Sequence, residues 1–297
     1  MSFDASDPRS KLPTIEAPEP TALAPAMIYQ FDPGAPHAER PGISSWFGSA
    51  KSFVVGYHQA EPGGVLERQG EIDEHLLILH DDSEVEIVAG EETTTVSGRA
   101  LVFLPPGDSR ISVLRGGRLV TASTTRSAPD LVARCELEPG LMADPNVPEY
   151  QPAGAPYDGF RIRVYDLDAE PVEGAFSAVW RCSSFLVLRG GWRMGVRDTR
   201  SMSPHTHVNF QQCNVVLDGE FRFNLRWPWV RDKSAWRPDE AVEVRAPGLT
   251  MTPAQALHTV EWIGSGMNHC IDLYAPPRPD FAALGWAIND AEYPRPS

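Results

Sequence analysis

Three histidines stand at spacings that could hold a metal ion. His205 and His207, in "SPHTHVNFQQCNVVLDGEF", are two residues apart, so on an extended chain both side chains leave the same face. His258, in "PAQALHTV", follows Pro253 by five residues. Gln212 follows His207 by five positions, and Gly219 lies seven beyond that, where a glycine suits a tight turn between strands. Imidazole nitrogens with one amide oxygen suit Fe, Mn, Ni, Co or Zn, and three or four protein ligands leave positions open for water or substrate. The competing reading is plain: an H-x-H pair is common and is more often a satisfied core or surface pair than a ligand set. The four cysteines, Cys135, Cys182, Cys213 and Cys270, form no C-x-x-C pair and read as buried reduced thiols.

The elements that would carry these residues are strands. The chain has 297 residues, enough for two domains that each bury a core, and 42% hydrophobic with 22% charged residues is ordinary globular composition. Its 28 prolines and 24 glycines fit many turns and short elements, and no long apolar helical rhythm appears. Residues 1–26 read as a proline-rich extended arm. Short β-like runs such as "SFVVGYH", "HLLILH" and "ALVFLPPG" fill 27–135, and a Pro/Gly-rich linker spans 136–158. The rhythm resumes over 159–280 with "SSFLVLR", "CNVVLDGEFRFNLRW" and "HCIDLYAPP", and 281–297 is a tail. Two copies of one all-β unit are expected. The formal charge of -14 excludes a nucleic-acid partner and offers nothing to an anionic membrane face. No bilayer-length apolar run or signal segment is present, so a cytoplasmic location is expected.

The spacings around the histidines resemble the two-part signature of the cupin superfamily, H-x-H-x(3,4)-E-x(6)-G followed by P-x-G-x-x-H. His205, His207, Gln212 and Gly219 match the first part, with glutamine where glutamate is usual. Pro253 and His258 match the second, with Gln255 in the glycine position. Gln211 is a possible oxygen ligand, but adjacent strand residues face opposite ways and only Gln212 keeps both spacings. The resemblance implies two tandem jelly-roll β-barrels, a bicupin, with one divalent metal on His205, His207, Gln212 and His258. Laid over the first half, the same template aligns Glu67, Gln69, Glu74 and Arg110 with the ligand positions. Arginine cannot ligate a cation, so a degenerate barrel with a buried ion-pair network is expected there. His58, His75 and His80 fall off the ligand positions and read as structural.

Around the expected site, Arg222 and Arg226 share one face of "EFRFNLRWPW" and could clamp a substrate carboxylate, or could simply face solvent. Arg193, Arg197 and Arg200 carry the same ambiguity. The insertion "WPWVRDKSAWRPDE" holds three tryptophans that suggest contact with another surface, in line with a homodimer. Because Gln212 cancels no charge, the ion would be strongly electrophilic and would favour an anionic, chelating small molecule. The resemblance thus implies a metal-dependent enzyme, with an Fe(II) dioxygenase foremost. The alternatives are a redox-neutral isomerase, lyase or decarboxylase using Zn or Mn, and a non-catalytic ligand-binding barrel. The redox-neutral class needs a protein acid or base, for which only Glu261 and Tyr274 offer themselves.

Overall fold

The protein is described from a computed structural model covering residues 6–12, 22–137 and 139–295. The expected helix-poor, all-β architecture is what forms. Among the described residues the α-helices are Pro129–Val132, Pro139–Met142 and Pro279–Ala283, each about one turn long. No helix among the described residues is long and apolar enough to cross a membrane.

Two curled β-structures follow one another along the chain. The first is a nine-stranded sheet built around the long strands His75–Ala89 and Glu92–Leu104, which pair with each other and bring Gly117–Thr124 and Gly107–Arg115 alongside. The second is a seven-stranded sheet in which Gln212–Asp218 lies between Gly248–Thr252 and Met267–Tyr274. Opposite it sits a three-stranded sheet of Glu240–Arg245, Glu220–Arg226 and Leu257–Trp262.

Alternation along the strands divides two cores. In His75–Ala89, Leu77 and Leu79 point into the first barrel with Val102, Leu104 and Ile111. Leu76 and Ile78 point the other way, into a layer shared with Phe185, Cys213, Val215 and Ile271 of the second half. The run "HLLILH" is continuously apolar because both faces of this strand are buried.

The halves also exchange strands. Met27–Gln30, the first strand after the arm, pairs with Gly248–Thr252 in the second sheet. Arg163–Asp166, just after the linker, pairs with Glu92–Leu104 in the first. Period-2 alternation marks both as strands but carries no information about partners. Of the expected arm, residues 1–5 and 13–21 lie outside the described residues. Arg9 lies over the Phe176 ring and Leu12 packs against the apolar cluster around Phe210, Tyr274 and Phe281 in the second barrel. Of the tail, residues 296–297 lie outside, while Trp286 and Tyr293 are buried.

Candidate metal centre

Three segments bring the histidines together. His205 and His258 form an antiparallel bridge, their backbones exchanging both hydrogen bonds at 3.0 and 2.9 Å. Gln212 opens the strand Gln212–Asp218, and its neighbours across the sheet are Thr252 and Tyr274. The positions between Pro253 and His258 turn tightly. Gln255 adopts φ 65°, a left-handed conformation that a glycine takes without strain, and its N–H donates to the His207 carbonyl at 2.6 Å. The glycine position of the resembled motif therefore keeps its backbone shape although glutamine fills it. Gly219 is likewise left-handed at φ 77°, and a Cβ there would lie 2.3 Å from Asn268 Oδ1.

The imidazole rings sit 4.4 to 4.9 Å apart by centroid, and their ligand nitrogens lie within 4.8 Å of one another. Carbonyl oxygens only accept hydrogen bonds. The contacts of His205 Nδ1 with the Ser203 carbonyl and of His258 Nδ1 with the Ala256 carbonyl, both at 3.0 Å, therefore place a hydrogen on each Nδ1. Burial holds both rings neutral, pushing His258 down to about 4 and His205 and His207 well below their ordinary value. Nε2 is then the lone-pair nitrogen. His258 Nε2 stands 3.1 Å from Gln212 Oε1, and His207 Nε2 stands 2.6 Å from the same oxygen. His207 Nε2 can donate to that oxygen, but His258 Nε2 and Gln212 Oε1 are two acceptors facing each other, an arrangement a cation resolves, and cis ligands on a first-row ion are separated by about 3 Å. The donor set fits a divalent metal.

Gln211 faces the other way, accepting from the Lys51 backbone N–H and donating to the Leu141 carbonyl. Arg222 and Arg226 do not approach the histidines. Leu225 pairs with His258 across the strands and shares its face, which leaves the arginines on the opposite face with Leu257 and Glu261. Arg222 pairs with Glu243 and Glu261, and Arg226 with Asp239 in solvent. The expected substrate clamp is thus replaced by surface ion pairs, and Glu261 leaves the site with them. Arg193 and Arg197 lie over the Trp262 ring, while Arg200 is exposed and paired with Asp198. Trp227 is buried, but Trp229 and Trp236 stack on each other at the surface, their centroids 4.4 Å apart.

Other residues take the places expected for those arginines and for Glu261. Tyr274 points its ring edge-on to His207 at 5.6 Å. Arg278 is buried against the rings of Phe210, Tyr274 and Phe281 and pairs with Asp280, and its charge helps depress all three histidines. Asp272, two positions before Tyr274 on the same face, bonds Asn214 Nδ2 at 2.6 Å, and burial pushes its carboxyl up to about 7. No local motif marks Arg278 or Asp272 in the sequence. Only the pairing of distant strands makes them neighbours of Gln212.

A second histidine group, His80, Asp218 and His269, joins the two halves. His80 Nε2 meets Asp218 Oδ2 at 2.7 Å, and His269 stacks on the rings of both His80 and Trp192, which also lie 5.8 Å from each other. The His80 and His269 planes differ by only 13°, so their in-plane lone pairs run parallel rather than converge. Arg118 already occupies the other Asp218 oxygen at 2.9 Å. This group pins the halves together and does not resemble the first centre.

The positions aligned in the first half do not form a buried network. Glu67 and Arg110 make an exposed surface pair, and Gln69 is exposed. Glu74 is fully buried but turns toward the second half, accepting from Ser183 N–H and Oγ–H at 2.8 and 2.7 Å and from the Tyr293 hydroxyl at 2.9 Å. The inward position on that strand belongs to His75, one residue later.

No family model and no curated protein matches the sequence. The fold nevertheless has relatives among solved structures. A deletion mutant of Bacillus subtilis oxalate decarboxylase OxdC superimposes with TM-score 0.57 at 13% identity, over 92% of this chain and 87% of that one. A structure addressing substrate binding and a reaction-specificity switch in oxalate decarboxylase gives 0.56 at 14%, over 86% and 78%. AerE from Microcystis aeruginosa gives 0.52 at 8%, over 80% and 93%. The chain has the bicupin fold, with two tandem jelly-roll domains.

Proposed function

We propose that this bicupin is a divalent-metal enzyme that cleaves a carbon–carbon bond of a small carboxylate without net oxidation, most simply a decarboxylase. The observation that carries the reading is the make-up of the second barrel's interior. Three neutral histidines and Gln212 converge with no carboxylate among them, beside the buried Arg278, paired with Asp280, and Asp272, whose carboxyl burial pushes up to about 7. His205, His207, His258 and Gln212 would hold the ion, which supplies a Lewis acid for the oxygens of an anionic substrate. Arg278 adds positive potential that draws in a carboxylate, in a chain whose overall charge is -14.

Decarboxylation replaces a carboxylate by a hydrogen, so a proton must be delivered to carbon as carbon dioxide leaves. Asp272 is suited to that step: one oxygen is engaged by Asn214, and burial keeps the other protonated up to about neutral pH. The C–C bond breaks, its electron pair stays on the remaining fragment, and that carbon takes the proton, which solvent then restores to Asp272. Tyr274, edge-on to His207, closes the apolar wall beside it. The Fe(II) dioxygenase reading leaves Asp272 without the defined proton-delivery step that decarboxylation gives it, which places it second. The similarity to oxalate decarboxylase supports the order at the level of fold.

The test uses protein purified without an affinity tag, analysed for metal and then supplied with oxalate, malonate and 2-oxo acids. Carbon dioxide release without net oxygen consumption is expected, lost in His205→Ala. Oxygen consumed in proportion to substrate would replace this reading by the dioxygenase. Protein that neither binds metal nor changes on His205→Ala would leave a ligand-binding barrel.

A further inference from the structure

The first barrel lost the metal ligands but not its interior. Between its strands lies a cavity of about 120 Å³. Cavities of this size accept ligands of roughly five to seven non-hydrogen atoms. We propose that it is a second small-molecule site and that it takes a short-chain carboxylate.

One wall is apolar, formed by Leu66, Leu104 and Ile111. The polar wall is built around two buried imidazoles. His58 has a hydroxyl on each nitrogen, Ser45 Oγ at Nδ1 and Thr121 Oγ1 at Nε2, both at 2.8 Å. A neutral imidazole donates from one nitrogen and accepts at the other. One hydroxyl therefore spends its hydrogen on the ring, while the other accepts from the ring and keeps its own O–H. Neither hydroxyl makes another hydrogen bond among the described residues, so one donor is left facing the cavity. Room for the ring comes from Gly56, where a Cβ would lie 2.7 Å from His58 Nε2. His75 Nε2 meets Ser109 Oγ at 3.0 Å on the same wall.

The mouth selects the charge. Arg68 is spent on Glu71 and Asp130, and Glu67 on Arg110. Arg40 and Arg134 also line the opening and have no ion pair among the described residues. Two uncommitted guanidiniums over an apolar pocket with one spare hydroxyl donor fit an anionic head on a short hydrocarbon tail. Inorganic phosphate has no tail for the leucine wall, and a cation finds no uncommitted carboxylate at the mouth.

The probe is butyrate, titrated calorimetrically into the full-length protein, with acetate, hexanoate and butyramide for comparison. One saturable site per chain is expected to persist after the metal is chelated, at least about tenfold weaker for butyramide and for the Arg40→Gln/Arg134→Gln variant. Ser109→Leu, which fills the cavity, should abolish binding. Ser45→Ala/Thr121→Val nearly keeps the volume, removes the spare donor whichever hydroxyl holds it and should weaken binding about fivefold, which covers the case in which Ser109→Leu fails to fold. His258→Ala should leave butyrate binding intact, which separates this site from the metal centre. Absence of binding up to about 10 mM, equal affinity for butyramide, an unaffected Ser45→Ala/Thr121→Val, or loss in His258→Ala would each overturn the proposal.

Discussion

At the scale of single residues, Gln212 sets the character of the proposed metal centre. A glutamine offers the same oxygen as a glutamate but no charge, and it stands within hydrogen-bond distance of both His207 and His258. Gln212→Glu should tighten Mn(II) or Zn(II) binding by roughly tenfold, about 1.4 kcal/mol, while lowering affinity for an anionic substrate. Competitive metal titration checks the first effect and KM the second. Asp272 gives a pH signature in metal-free protein. Its folded carboxyl titrates near 7 against an ordinary 3.8, so between those values the folded state holds a proton that the unfolded state has lost. Stability should therefore fall as pH rises from about 4 to 7, by up to about 4 kcal/mol. Asp272→Asn should flatten that part of a urea-midpoint profile and be the more stable protein at pH 8. The three histidines were legible because two separate spacings point to them. Arg278 and Asp272 were not, because their nearness to Gln212 depends on strands some sixty residues apart in sequence.

At the scale of elements, what decides function is which face a residue takes. Arg222 and Arg226 were recognisable as sharing one face, but alternation does not say whether that face is inside. The Leu225 to His258 pairing decides it. The first half shows the same limit in another form. The motif overlay puts Glu74 in register with Gln212, yet Glu74 faces the other domain and His75 faces the barrel, a slip of one residue that exchanges all inward and outward positions. Turns were read more securely, since a left-handed glycine leaves a mark in sequence. Gly219 turns the chain between Gln212–Asp218 and Glu220–Arg226 with no space for a side chain, as Asn268 Oδ1 and the Met267 carbonyl close in. Gly219→Ala should cost about 2 kcal/mol or more and loosen metal binding along with it, because the strand it displaces begins with Gln212. Denaturant unfolding and metal titration of the same variant test whether the two losses travel together.

At the scale of the molecule, composition and rhythm made two all-β units legible, but not how they are tied. Strand partners across the boundary are chosen by long-range pairing: Met27–Gln30 completes the second sheet and Arg163–Asp166 the first, so each half holds a strand that the other lacks. The layer between them is apolar and shared, with Phe53 and Phe185 edge-on at 6.2 Å and both fully buried. Glu74 crosses that layer, and burial raises its carboxyl while Ser183 and Tyr293 supply three hydrogen bonds to it. Removing the carboxyl leaves those donors buried without an acceptor, each at a cost of about 1 to 3 kcal/mol, partly relieved if water enters. Glu74→Ala should therefore lower stability by about 2 to 4 kcal/mol, although no part of it touches the metal centre. Because both barrels lean on the same layer, the loss should appear as one shifted transition rather than as melting of the first barrel alone. Scanning calorimetry decides the matter: a single peak whose calorimetric and van't Hoff enthalpies agree in both proteins is expected, and a second peak appearing in Glu74→Ala would mean that the barrels fold independently.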